Sequence, residues 1–454
     1  VSTPLAVINP ATEQEVASVA MLTTPEVDAA IDRAARAAPA WRAVTPADRA
    51  RLLRRFADVV DQHNEELARL EVANSGHTIS NARWEAGNVR DVLAYYSGAV
   101  ERHSGKQIPV AGGVDLTFYE PLGVVGIIVP WNFPMPIAGW GLGPALAAGN
   151  TVVLKPASLT PLTAIRLGEL ALEAGIPEGV FQVVPGEGST VGQRFVTHEA
   201  VRKVCFTGSN AAGRKVMEGC AAQVKRVTLE LGGKSANIVF ADADLERAAA
   251  GAPYAVFDNA GQDCCARSRL LVQDSAYDRF MELFEAAVKG VKVMDPSDDA
   301  SEMGPLITAA QKASVASYVD DSHIAFRGSA PDGPGFWHAP TVLDAGDRTG
   351  RAYREEVFGP VVSVVRFSTE SEAVAIANES PYGLSGSVWS RDVGRALRVA
   401  RGVETGALSV NSNSSVRYST PFGGFKMSGL GRELGPDALL GFSEEKNVFI
   451  STEE

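Results

Sequence analysis

Residues 121–154 read PLGVVGIIVPWNFPMPIAGWGLGPALAAGNTVVL, a run without a charged side chain. So apolar a stretch invites a membrane reading, but Pro130, Pro134, Pro136, Pro144 and six glycines interrupt it. It is predicted as a buried strand, loop, helix and strand. Its two strands, Val124 to Val129 and Thr151 to Leu154, begin a series continued by Phe181 to Val184, Val204 to Thr207 and Val227 to Leu231. Each is a short β-branched run separated from the next by a helical segment. That alternation marks βαβ units around a parallel sheet buried on both faces, so the predicted class is α/β. The pattern restarts at Ser235 to Phe240 and continues through a helix from about Leu245, Arg269 to Val272, a helix from about Ser275 and Val361 to Phe367, which predicts a second α/β domain. Upstream, the first hundred residues read as helices: Thr24-Pro25 and Thr45-Pro46 each set a capping hydroxyl before an N1 proline, and a third helix is expected from about Asn81 to Val100. There is no repeat of 20 to 50 residues and no low-complexity tract.

The chain has 454 residues, 42 basic against 54 acidic side chains, a net charge of −12 and 45% apolar residues. At roughly 150 residues per domain that predicts two or three domains with ample core and excludes a disordered chain. An acidic balance without a Lys/Arg-rich run excludes nucleic acid and anionic membrane as the main partner and leaves a small molecule. Only four cysteines occur, and Cys264 and Cys265 are adjacent. This suits neither a disulfide framework nor a C-x-x-C metal site, so no metal is expected and a reducing cytoplasm is the predicted setting. Val1 to Val19 shows no basic segment followed by an apolar one, the mark of a signal peptide.

Several stretches carry chemistry. Phe206-Thr207-Gly208-Ser209-Asn210-Ala211-Ala212-Gly213 follows a strand and opens a helix, where free N–H groups and the helix dipole would meet a pyrophosphate; it equally suits a glycine-started helix without a ligand. Lys155 sits at the carboxyl end of its strand, where open α/β sheets bind ligands. Gly261-Gln262-Asp263-Cys264-Cys265-Ala266 puts Cys264 in a glycine-bearing loop with the exposure a nucleophile needs, although a lone cysteine is commonly a small buried hydrophobe. Thr228-Leu229-Glu230-Leu231-Gly232-Gly233-Lys234 sets a carboxylate in an apolar strand, where lost solvation tunes it toward general-base work; pairing with a lysine is the plainer reading.

Pro130-Trp131-Asn132-Phe133-Pro134, Leu154-Lys155-Pro156-Ala157, Phe206-Thr207-Gly208-Ser209, Leu229-Glu230-Leu231-Gly232-Gly233-Lys234, Gly261-Gln262-x-Cys264, Glu355-Glu356-Val357-Phe358-Gly359-Pro360 and Pro421-Phe422-Gly423-Gly424-Phe425-Lys426-x-Ser428-Gly429 occur in this order. The series resembles the aldehyde dehydrogenase superfamily over nearly the whole chain. The resemblance implies a dinucleotide-binding domain from 1–101 and 122–232, a catalytic domain from 233–433 and an oligomerisation element from 102–121 and 434–454, assembled as a homodimer or homotetramer. It further implies Cys264 as the thiolate attacking an aldehyde, Asn132 with the Cys264 N–H as the oxyanion holder, and Glu230 as the base for thioester hydrolysis. Trp131, Lys155, Ser158, Gly188, Gly208, Ser209, Leu231, Glu356 and Phe358 would contact NAD or NADP, and Phe422 would flank the substrate.

Departures from the family pattern narrow the reading. Many NAD-preferring relatives carry a glutamate after Lys155-Pro156-Ala157; Ser158 stands there instead and repels no 2′-phosphate, so either dinucleotide is expected. Asp263 beside the nucleophile disfavours a thiolate and asks for a reason such as a cationic substrate tail. Asp91, before Tyr95 and Tyr96, matches a similar position in aminoaldehyde-oxidising members, although pairing with Arg90 or Arg102 is the commoner fate of a helix aspartate. The loop Asn411-Ser412-Asn413-Ser414-Ser415-Val416-Arg417 borders the entrance, and Arg417 there would grip a carboxylate. An aminoaldehyde or γ-glutamyl aminoaldehyde is the expected substrate, with a semialdehyde such as succinate semialdehyde as the alternative. A cysteine hydrolase pairing Cys264 with a histidine is the alternative of another class, but none of the six histidines lies near these motifs.

Overall fold

The computed structural model describes residues 4–320, 322–414 and 416–453. The uncharged run folds as strand Val124–Ile128, helix Pro134–Ala147 and strand Thr151–Lys155, every residue of which is buried. The strands sit inside a six-stranded sheet ordered Gly429–Leu430, Arg226–Glu230, Val201–Thr207, Val124–Ile128, Thr151–Lys155, Phe181–Val183. All of these pairs are parallel except Gly429–Leu430, which runs antiparallel to Arg226–Glu230. Helices Pro46–Gln62 and Ile79–Ser97 pack with Pro134–Ala147 over one face, closing a core that holds Phe56, Val92, Tyr96 and Leu142. A chain so apolar on both faces of sheet and helix has nowhere to go but between other layers, which is why the run is neither surface nor span.

The second sheet has seven strands, ordered Ile324–Arg327, Thr341–Asp344, Val361–Phe367, Arg269–Gln273, Ala236–Val239, Ser385–Trp389, Ala407–Val410, with only the outermost Ile324–Arg327 antiparallel. Gln107–Val110, Gly113–Pro121 and Ser443–Ser451 form a separate antiparallel sheet. The structure corrects the sequence reading in one place. Leu5–Ile8 and Glu15–Val19 pair as a hairpin before the first helix, Thr24–Ala43, so the first hundred residues are not all helical; the two strands are short and mostly exposed and leave no clear alternation to read. The span 233–433 does not stay with its own sheet, because Gly429–Leu430 crosses to edge the first one. Among the described residues no helix is long and apolar enough to cross a membrane.

Candidate active site

Thr207 and Glu230 end parallel strands at their carboxyl edge and line one wall of a cleft of about 200 Å³. Cys264 stands in the same cleft, half-buried, on the loop between helix Leu245–Phe257 and strand Arg269–Gln273. Its loop is held in an unusual shape: Asn259 and Ala260 take φ of 50° and 53°, and Gly261 a φ of 71°. A Cβ on Gly261 would stand 2.0 Å from the Gly359 carbonyl oxygen, so only glycine lets the two backbones approach. Gln262 braces the turn, with its Oε1 accepting the Ile307 N–H at 2.9 Å.

Asn132 joins this loop to the first sheet. Its Nδ2 donates to the Gln262 carbonyl at 2.9 Å, while its own carbonyl accepts from Asn259 Nδ2 at 2.8 Å. One amide hydrogen is thereby committed two residues before Cys264 and the second is left to point elsewhere. The Cys265 thiol next to it, together with burial and Asp263, holds the Cys264 thiol well above its usual range. Glu230 is buried with neither carboxylate oxygen partnered among the described residues. Burial first, and then the Glu433 carboxylate, raise its pKa well above that of an ordinary glutamate. A buried acceptor left unsatisfied is costly, and such a group is ready to take a proton from a reactant.

The cofactor candidates line the adjoining edge. Lys155 closes its strand buried, its Nζ donating to the Pro156 carbonyl at 2.8 Å, and burial lowers its pKa to about 8. Glu356 accepts the Gly233 N–H at 2.8 Å, and burial raises it to about 7. Gly208 donates its N–H to the Glu230 carbonyl at 3.0 Å, and Ser209 caps the helix Asn210–Ala221. Leu231 is buried and bonded to the Ser428 carbonyl, Ser158 is half-buried, and Gly188 faces open space at the start of a short helical turn. Trp131 and Phe358 meet edge to face, with centroids 5.3 Å apart. A partly neutralised ammonium and carboxylate, beside a capped helix start, form a donor set that fits ribose hydroxyls and a pyrophosphate.

The model of the aldehyde dehydrogenase family matches residues 2–448. The chain belongs to the aldehyde dehydrogenase family. A betaine aldehyde dehydrogenase of Mesorhizobium japonicum is 40% identical over 460 residues, 99% of this chain and 94% of the relative. The crystal structure of PnpE from Pseudomonas sp. WBC-3 superposes with a TM-score of 0.97 at 41% identity, covering 100% of this chain and 96% of that one. Betaine aldehyde dehydrogenase of Staphylococcus aureus in complex with NAD+ has a TM-score of 0.97 at 37% identity, covering 100% and 92%. Membership in this family sets the cysteine-hydrolase alternative aside, and no histidine lines the cleft.

Two candidates of this aldehyde dehydrogenase do not reach the cleft. Asp91 is paired with Arg90 at 2.8 Å, and Arg90 bridges on to Asp61. Arg417 is exposed with its Nη1 at 3.4 Å from the Ser414 carbonyl, while Val416 beside it does line the cleft; Ser415 of that loop lies outside the described residues. Asp263 and Phe422 do line it, with Phe422 edge-on to Trp140 at 5.2 Å.

Two acidic features escaped the sequence reading. Asp258 lines the cleft, accepts from Asn81 Nδ2 and the Asn259 N–H, and is raised to about 6 by burial and then by Asp263. Behind Asn132, His77 packs its ring on Phe133 at 5.5 Å and meets Glu85 through Nδ1, with Glu71 close by; all three are buried. Glu71 and Glu85 lie on the helices Asn64–Ser75 and Ile79–Ser97 and His77 on the loop between them, a spacing unremarkable alone; their meeting depends on how those helices pack.

Proposed function

We propose that the chain oxidises a cationic aminoaldehyde to its acid with NAD or NADP, Cys264 being the nucleophile, Glu230 the hydrolytic base and Asn132 the oxyanion donor. The observation that carries this reading is the cleft itself: Cys264 and Glu230 share it with two aspartates, Asp258 and Asp263, against the aromatic rings of Trp84, Phe133, Trp140, Tyr254 and Phe422. Carboxylates flanked by aromatic faces attract an ammonium group. Names borne by relatives, betaine aldehyde dehydrogenase among them, agree with it.

The residues perform the chemistry in order. Cys264 gives up its S–H proton to solvent and its Sγ attacks the carbonyl carbon, and the oxygen that gains charge accepts from the Cys264 N–H and from the uncommitted amide hydrogen of Asn132. Bound NAD or NADP would supply the hydride acceptor. Glu230 then takes a proton from water, which attacks the thioester, and the acid leaves as Cys264 regains its proton. Lys155 and Glu356 would hold ribose hydroxyls, Gly208, Ser209 and Gly188 would border the pyrophosphate, Trp131, Leu231 and Phe358 would wall the nicotinamide end, and Ser158 would leave a 2′-phosphate unopposed.

One face of the antiparallel sheet carries the exposed Phe118, Val448 and Ile450, and this apolar face supports self-association as a dimer or tetramer. Four unpaired cysteines support a reducing cytoplasm. The test is kcat/KM for a four-carbon ω-aminoaldehyde against its uncharged analogue, in wild type, Asp258→Asn and Asp263→Asn. The charged substrate is expected to win, and each variant to lose about tenfold on it alone, the equivalent of ~1.4 kcal/mol. Equal rates for both aldehydes with silent variants would overturn the substrate class, and preference for an acidic semialdehyde would replace it.

A further inference from the structure

Adjacent cysteines give the sequence no metal motif, yet folding gathers donors around them. One carboxylate oxygen of Asp263 and the sulfurs of Cys264 and Cys265 lie within 4.8 Å of one another. All three residues line the open cleft, so the cluster is reachable. The Cys265 N–H donates to Asp263 Oδ1 at 2.8 Å, which turns that carboxylate back toward the sulfurs. Outside that 4.8 Å group, Glu230 lines the same cleft, buried, with both carboxylate oxygens unpartnered among the described residues, and is the candidate fourth donor.

We propose that Cys264, Cys265, Asp263 and Glu230 bind a thiophilic divalent cation of the zinc class, which takes the place of the aldehyde and switches oxidation off reversibly. Two thiolates and two carboxylates supply the four ligands that zinc takes in tetrahedral sites, and sulfur excludes magnesium and calcium. Zn–S bonds near 2.3 Å set two sulfurs of a tetrahedral site about 3.8 Å apart, a separation that lies inside the 4.8 Å limit of the present cluster. Binding forms two Zn–S bonds and two Zn–O bonds, the latter from the ionised Asp263 and Glu230, and breaks two S–H bonds. Both protons leave to solvent and no electron moves, so a chelator reverses the step. Arg267 and Arg432, which face the cluster and Glu230 respectively, offset the remaining negative charge. The site depends on the geometry of the loop and not on which aldehyde is oxidised.

The experiment titrates phosphine-reduced, cofactor-free protein with Cd2+ and reads the ultraviolet thiolate-to-cadmium band, then measures inhibition of aldehyde oxidation by Zn2+. One equivalent of Cd2+ is expected to give the band of two thiolates. Cys265→Ser should halve the band and raise the Zn2+ concentration for half-inhibition at least about tenfold. Asp263→Asn and Glu230→Gln should weaken Cd2+ binding while keeping the two-thiolate band, and Cys205→Ser should change nothing. Addition of EDTA should restore full activity. A one-thiolate band in wild type, unchanged Zn2+ inhibition in Cys265→Ser, or activity that EDTA does not return would each overturn the site.

Discussion

Glu230 shows what a single position can be made to do. A strand residue in an apolar sheet ordinarily hides a hydrocarbon; here it hides a carboxylate whose oxygens meet no donor among the described residues. Replacing it by glutamine keeps the shape and removes the base. Glu230→Gln is expected to give one burst of reduced cofactor per site and then stall at the thioester, with the steady rate down by at least about a hundredfold; a rapid-mixing trace without a burst would reverse the order of steps. The neighbouring cysteines divide in the same way. Cys264→Ser is expected to abolish oxidation and Cys265→Ser to keep most of it, measured as kcat/KM on one aldehyde, since only Cys264 stands half-buried while Cys265 is buried. That Cys264 and Glu230 share one cleft was legible because each sits in a short, glycine-marked motif. Asp258 and His77 were not: no local pattern distinguishes them, and their place beside the cleft comes from distant segments, Asn81 against Asp258 and Phe133 against His77.

At the scale of the element, the turn Asp258–Gly261 is the most constrained piece of backbone near the nucleophile. Three consecutive residues take positive φ, and the last abuts the Gly359 carbonyl. Non-glycine residues held there store roughly 1–3 kcal/mol each, which surrounding bonds from Gln262 and Asn132 must offset. Gly261→Ala is therefore expected to lower stability by several kcal/mol and to displace Cys264 enough to cut kcat on the order of a hundredfold, with KM little changed; denaturant midpoints and steady-state rates read the two effects separately. Elements of the parallel sheets were readable where β-branched residues run together, as in Val124–Ile128 and Val361–Phe367. Ser385–Trp389 was missed because Ser385-Gly386-Ser387 carries no such signature; its burial between two other strands, not its composition, makes it a strand.

Across the molecule, buried acids set the response to pH. Glu71, fully buried between Thr163 and Asn74, is raised from 4.5 to about 7 by burial and by Glu85. Because the folded form holds this proton more tightly than the unfolded chain, Glu71 contributes stability that is fully present below about pH 4.5 and is lost as pH rises toward 7. Its share is on the order of 3 kcal/mol, at about 1.4 per pKa unit. Glu71→Gln is expected to flatten the fall in unfolding free energy between pH 5 and pH 7.5, measured by denaturant titration at both.

The strand Gly429–Leu430 carries a different consequence. By lending a late segment to the edge of an early sheet, it makes the two halves of the chain unable to be inherited separately: a gene fragment for residues 1–232 would produce a sheet whose Arg226–Glu230 edge is bare. That fragment is expected to aggregate when expressed alone, and the intact protein to melt in one calorimetric transition instead of two. Recombination at the boundary between its domains would cut through a shared part, so exchange of cofactor and substrate modules with a relative would have to carry residues 421–433 along with the first half.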